Sequence, residues 1–452
     1  MAMFLMVVCL VILSVFVLYR WRLGVVLVFI WLFIGDMIRK IIPGQPPEIM
    51  LIGDTLLFLT YLSFFAMIVI KNKKLWKPPF ISTLLLLLAF ILINVLNPNS
   101  PGLVFGIIGI RSYLWYVPLL FLGYYMFASE DKLLKFCRIL VYTTIPLFTF
   151  AIIQYIFYDS NFVIFRPFEI GHQIHSFGWI ETGAVKRITA LWGEAQRYAT
   201  FSMFLFFLGM ATYSASKKNK ILLLSTIYAF LGVVISSSRV TFILSIVGFI
   251  MFSLLTSIIN MRKLSFLFIA RLIKVSLLVS LVITIGLLTI YKFFGGVGLF
   301  QISAFHFALE ERIPWFLQEF SNIFSELNCW GYGTGTASQG LQYIQVGREW
   351  GAAYRFFESG ISKILFELGI LGFIFFYLLW GHLLYRIRKE LKILNSSSLR
   401  NIGVSVYIFL ILVLIRFSFI HHEILGETTT LVTLWFFIGV MFNLKNLESM
   451  RH

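Results

Sequence analysis

Long apolar runs divided by short polar ones make up most of the chain. A helix needs about 20 mostly apolar residues to cross a bilayer. Runs of this kind lie at 2–19, 22–38, 50–70, 80–96, 113–128, 138–158, 198–216, 220–236, 240–259, 268–292, 361–385, 402–420 and 426–443. They predict an all-α polytopic membrane protein with about 12–14 spans. The first run has no basic segment ahead of it and no small-residue cleavage site behind it, so 2–19 is read as a retained span.

Two polar stretches are too long to be simple turns, 159–197 and 293–360. The chain therefore reads as one membrane domain, 1–452, carrying two large loops. Within the second loop, Phe307, Ile313, Phe316, Leu317, Phe320, Ile323, Phe324 and Leu327 recur near helical spacing, interrupted around Pro314. This predicts an amphipathic helix near 305–328 with its charges on the other face. Such a helix lies in the headgroup plane or covers a groove. The glycine-rich turn after it, WGYGTG, permits close backbone approach to a ligand.

Composition agrees: 60% of the residues are hydrophobic and 13% charged, a mix that excludes a soluble fold. The net charge of +17 would suggest nucleic acid in a soluble protein. Here the lysine-rich runs KNKKLWK at 71–77, KKNK at 217–220, RKLSFLFIAR at 262–271 and RIRKELK at 386–392 fit one orientation, with all four on the cytoplasmic side. Their partners are anionic membrane lipids, not nucleic acid. Alternation then places 39–49, 97–112, 159–197, 236–239, 293–360 and 421–427 outside.

Cys9, Cys137 and Cys329 form no evident disulfide pair or zinc spacing and read as packing residues. No nucleotide loop or H-E-x-x-H pattern occurs, so neither a metal nor a cofactor is expected. Asp36, Glu48 and Asp54 border the first outer loop without a D-x-D spacing. His172 and His175 read as solvated loop residues or acceptor contacts.

Arginines on the outer side run against the charge bias. They are Arg111, Arg187, Arg197, Arg239, Arg312, Arg348, Arg355 and Arg416. One arginine is explained by snorkelling or a carboxylate partner. Several on one face suit an anionic substrate, because guanidinium holds phosphate oxygens through paired charge-assisted hydrogen bonds. The turn HHEILGE adds His421, His422, Glu423 and Glu427 next to Arg416. It reads as a buried polar network with that arginine in preference to a metal site.

The order of these features resembles the bacterial O-antigen polymerase/ligase superfamily of membrane glycosyltransferases. The resemblance runs from RITALWGEAQ at 187–196 through SSSR at 236–239, Arg312 before the amphipathic stretch, and Gly331, Gly333 and Gly335 in the turn. It closes on Glu367, Gly369 and Gly372 at a helix start, with a weaker match at Arg111. It implies a GT-C-like fold and a polyprenyl-diphosphate-linked oligosaccharide as substrate. Where members resembling the ligases carry a histidine and a small polar residue, this chain has Glu358-Ser359-Gly360. Glu358 is read as a base toward an acceptor hydroxyl or, equally, as a charge stabilising the helix that follows.

The expectation is a polymerase that joins lipid-linked repeats into an O-antigen, capsule or exopolysaccharide on the outer face of the bacterial cytoplasmic membrane. Arg187, Arg197, Arg239, Arg312 and Arg416 are expected to hold the diphosphate. Arg111, Arg348, Arg355, His421, His422 and Glu423 are secondary candidates. A chain-length regulator and a flippase are the protein partners that the resemblance implies. A ligase that transfers finished glycan is the alternative within the enzyme class. A transporter of lipid-linked sugars is the alternative outside it, expected to show broken spans and charge near the bilayer midplane.

Overall fold

The computed structural model describes residues 14–42, 49–158, 162–165, 188–216, 219–260, 313–338, 357, 359–419 and 426–450. Among the described residues the regular structure is helical and contains no strand. The helices are α1 (Trp21–Ile41), α2 (Met50–Ile70), α3 (Ile81–Asn94), α4 (Leu103–Tyr113), α5 (Leu119–Met126), α6 (Glu130–Tyr142) and α7 (Thr144–Ile156). They continue as α8 (Ala195–Ala215), α9 (Lys220–Ile235), α10 (Arg239–Asn260), α11 (Ile313–Ser325), α12 (Gly360–Ile393), α13 (Ser397–Phe419) and α14 (Thr428–Ser449). Eight candidate spans among the described residues are long and apolar enough to cross a membrane, α6 and α7 together making one. The protein is an all-α, multi-pass membrane protein. The expected span 268–292 and most of 2–19 lie outside the described residues.

Helix α14 is the axis of the fold. In its most apolar window 89% of the residues are buried, against 33% for α1, so its neighbours surround it. Gly123 of α5 and Gly439 of α14 bring those two backbones together. A Cβ on Gly123 would lie 2.0 Å from the Phe436 carbonyl oxygen, and one on Gly439 would lie 1.9 Å from that of Leu120. Small residues permit such approach where lipid supplies no hydrophobic drive between helices.

The expected span 113–128 is not one α-helix. From Leu114 into the first turn of α5 the chain makes i→i+3 hydrogen bonds, from Val117 N to Leu114 O, Leu119 N to Tyr116 O, Leu120 N to Val117 O and Phe121 N to Pro118 O. Only α5 follows as regular α-helix. Pro118 has no N–H to offer the preceding turn, and the tighter winding gains length per residue. The segment still runs the length of α14. Tyr116 Oη lies 3.0 Å from Thr428 Oγ1 at one end. At the other, Asn446 Nδ2 donates to Tyr124 Oη at 2.8 Å.

Polar contacts sort into two layers. In the basic layer Trp76 N donates to Tyr125 Oη at 2.8 Å and Ser396 Oγ to Glu130 Oε1 at 3.0 Å. The lysine-rich segments 71–77 and 386–392 belong to this end. The opposite layer joins the end of α1, the starts of α2, α8 and α14, and the end of α13, and it carries Arg111, Arg197 and Arg416. Helix α12 departs from its expected form by breaking at Gly369, whose φ of 66° and ψ of −168° are not helical.

Candidate functional site

The first half of the arginine layer is built by the segment before α8. Lys40, buried at the end of α1, donates to Thr189 Oγ1 at 3.3 Å and to the Trp192 carbonyl at 3.1 Å. Gln154 of α7 holds Thr189 from the other side, accepting from its N–H at 3.2 Å and donating to its Oγ1 at 3.1 Å. Gly193 N then donates to Asp36 Oδ2 at 2.9 Å. These anchors fix the start of α8, which presents Gln196 and Arg197 on its first turn and Thr200 one turn on from Gln196. Arg197 forms ion pairs with Asp36 at 3.5 Å and Glu194 at 3.3 Å.

Arg416 comes from the far end of α13 and is 1% exposed. Its Nη1 donates to Thr200 Oγ1 and its Nη2 to Gln196 Oε1. Glu427, also 1% exposed, precedes the first turn of α14 and accepts from Thr430 Oγ1 at 2.8 Å. Burial pushes the Glu427 carboxyl above the usual glutamate range, opposed by the charges of Arg416 and Arg197 and assisted by Glu194. Of the polar residues in the HHEILGE turn Glu427 is described, and it is buried within electrostatic reach of Arg416. His421, His422 and Glu423 lie outside the described residues.

Arg111 adds a third guanidinium. Its Nε meets Asp54 Oδ2 at 2.7 Å, while Tyr116 Oη reaches Asp54 Oδ1 at 3.5 Å. Arg197 is close enough to act on it electrostatically. Asp36 and Asp54 thus serve as arginine partners, and among the described residues no group of three or more His, Cys, Asp or Glu could hold a metal ion. Arg239 opens α10 after the strained turn at Ser237, whose φ is 57°. It belongs to the same end, because Tyr198 of α8 packs over Gly232 of α9. Arg187, Arg312, Arg348, Arg355 and Glu358 lie outside the described residues.

A second construction stands at the break in α12. The turn from Asn328 to Gly335 docks into it through four main-chain hydrogen bonds: Tyr332 N to Phe366 O, Gly333 N to Glu367 O, Ile370 N to Asn328 O and Leu371 N to Cys329 O. Breaking a helix frees amides and carbonyls that must find partners, and the turn supplies them. Glu367, fully buried, accepts from Tyr113 Oη at 2.7 Å and Ala337 N at 2.9 Å, with Lys363 Nζ at 3.9 Å. Asn94 at the end of α3 donates to the Trp330 carbonyl at 2.6 Å, and Phe90 stacks on the Trp330 ring. The glycine turn therefore closes a gap in a helix with its own backbone.

Three sequence expectations change here. Glu319 of the amphipathic helix is not on a solvated face. It is buried and accepts from Ser359 N at 3.3 Å and Ser359 Oγ at 3.2 Å. A carboxylate at the start of α12 complements its dipole, the role considered for Glu358. Cys329 is exposed, whereas Cys137 is a buried packing residue; Cys9 lies outside the described residues. A broken span, expected of a transporter, is present in α12. The break lies level with the end of α3, near the arginine layer.

The residues sequence reading passed over are Lys40, Gln154, Thr189 and Lys363, together with Glu367 as a buried carboxylate. Polar groups inside apolar helices were the available signal. No family model matches the chain, and no curated protein does.

Proposed function

We propose that this protein is a glycosyltransferase that polymerises polyprenyl-diphosphate-linked oligosaccharide repeats, working at the outer face of the bacterial cytoplasmic membrane in a GT-C-like fold. The observation that carries the reading is the meeting of Arg197 and Arg416, from α8 and α13, around Glu427 at one end of the helices. Gln196 and Thr200 orient the Arg416 guanidinium, and Asp36 and Glu194 orient that of Arg197. Oriented guanidiniums at the lipid–water boundary suit a diphosphate anchored by a lipid tail.

In this reading the acceptor hydroxyl of one lipid-linked repeat attacks the anomeric carbon of the growing chain. The carbon–oxygen bond to the diphosphate breaks, and the lipid diphosphate leaves with the electron pair. Arg416, Arg197 and Arg239, with Arg187 and Arg312 from the two loops, stabilise the negative charge that develops there. Diphosphate is a good leaving group, so oriented binding supplies much of the rate.

The break at Gly369 with the buried pair Lys363 and Glu367 favours a second reading, transport of the same lipid-linked sugars. Against it, the break is filled by main-chain hydrogen bonds from the 328–335 turn. Deleting the gene and analysing surface glycan separates the outcomes. A single attached repeat supports the polymerase. Complete absence of attached glycan with full-length polymer on the lipid supports the ligase, and lipid-linked repeats accumulating inside support the transporter.

A further inference from the structure

The carboxylates of the arginine layer are mostly committed. Asp36 takes the Gly193 amide and Arg197, Asp54 takes Arg111, and Glu194 pairs with Arg197. At the α12 break Glu367 is filled by Tyr113 and Ala337. Hydrogen bonds to the ionised form make a carboxylate a weaker base. Glu427 differs. Its Oε2 accepts from Thr430, but Oε1 is, among the described residues, the only buried carboxylate oxygen that receives no hydrogen bond. A buried acceptor without a donor costs about 1–3 kcal/mol, so its retention calls for a use.

Resting on the glycosyl-transfer reading above, we infer that Glu427 is the catalytic base, its Oε1 taking the proton of the acceptor hydroxyl. The hydroxyl O–H bond breaks as its oxygen bonds to the anomeric carbon, and the proton ends on Glu427. The bond from that carbon to the diphosphate breaks in the same event, and its electrons leave with the lipid diphosphate beside Arg416 and Arg197. The charged groups facing Glu427 are Arg416 from α13 and Arg197 and Glu194 from α8 and its approach. Thr430 orients the carboxylate from α14 itself. Burial raises the proton affinity of the Glu427 carboxyl, and the charges of Arg416 and Arg197 act against that rise. Base and leaving-group stabiliser thus occupy one cluster, and neither depends on Glu358.

The test uses the full-length purified protein and lipid-linked repeats extracted from cells in which the gene is deleted. Glu427→Gln should lower turnover by about a hundredfold or more while retaining affinity for undecaprenyl diphosphate. The wild-type kcat/KM should fall on acidification through a value above the ordinary glutamate pKa of about 4.3. That limb should vanish in the Gln variant. Glu427→Asp keeps the charge that compensates the arginines, so it guards against a Gln variant that fails to fold. It should melt normally, turn over roughly tenfold more slowly, and retain an acid limb.

Near-wild-type turnover in Glu427→Gln, or an unchanged rate and pH profile in Glu427→Asp, would overturn the assignment. So would loss of the acid limb in Glu358→Gln with Glu427→Gln still active. Absence of any chain elongation by the wild type, under conditions where it binds undecaprenyl diphosphate, would sink the polymerase reading and this inference together. An active wild type with an unaffected Gln variant sinks only the base.

Discussion

Gly331 and Gly369 meet back to back across the break in α12. Their φ angles are 72° and 66°. A Cβ on Gly331 would lie 2.6 Å from the Gly369 nitrogen, and one on Gly369 would lie 2.5 Å from the Gly331 nitrogen. Each position is closed to a side chain twice over, by its dihedral and by its neighbour. The left-handed conformation alone costs about 1–2 kcal/mol per residue, and the backbone clash adds to it. Gly331→Ala and Gly369→Ala should therefore each lower the melting temperature in detergent, with a double variant losing less than the sum. Gly381, with open space at its Cβ, is the contrast: Gly381→Ala should be neutral or slightly stabilising. Equal melts for all three single variants would deny that the turn and the helix interlock.

Arg416 and Glu427 should behave as a buried charge pair in stability as well. Arg416→Met leaves Glu427 buried without its main opposing charge, which costs about 3–5 kcal/mol. Adding Glu427→Gln should restore a substantial part of this. In the single Arg416 variant the Glu427 carboxyl rises further, so its folded form binds a proton at higher pH than its unfolded form. The variant should lose stability as pH rises above the ordinary carboxylate range and regain it on acidification. Additive melts in the double-mutant cycle would show that the two residues do not interact.

Cys329 provides a native test of orientation, being exposed in the turn at the arginine end while Cys137 is buried. A membrane-impermeant maleimide should label intact cells, and Cys329→Ser should remove that labelling. Labelling of Cys329 only after lysis would place the arginine layer in the cytoplasm and end the proposed function.

Arg239 and Arg197 test the diphosphate role. Lysine keeps one positive charge but loses the planar fork. Arg239→Lys and Arg197→Lys should reach the membrane at normal levels yet give shortened glycan, with a drop of about tenfold or more in elongation rate, and alanine should be worse. Wild-type polymer length from Arg239→Ala at normal protein level would remove that residue from the site.

Much of this was legible along the chain, because a bilayer demands long apolar helices with internally satisfied backbones. Among the described residues, the lysine-rich runs at 71–77 and 386–392 lie at one end, and Arg111, Arg197 and Arg416 at the other. Burial of Arg416 and Glu427 was foreshadowed by charge set next to an apolar span, which seldom stands alone. What failed was local: the 113–128 stretch reads as uniformly apolar, yet Pro118 turns part of it into tighter winding. Glu319 reads as one more charge on an amphipathic helix, and nothing in its spacing shows that Ser359 lies against it.

By itself the sequence determined the membrane class, which depends on residue type and period alone. Only the tertiary structure decided that the glycine turn closes a broken helix, that Asp36 and Asp54 are arginine partners, and that Glu427 sits among guanidiniums from helices far apart in sequence. Those outcomes depend on which helix ends become neighbours. That is a matter of packing among apolar surfaces so alike that the sequence gives little sign of which pairs will meet.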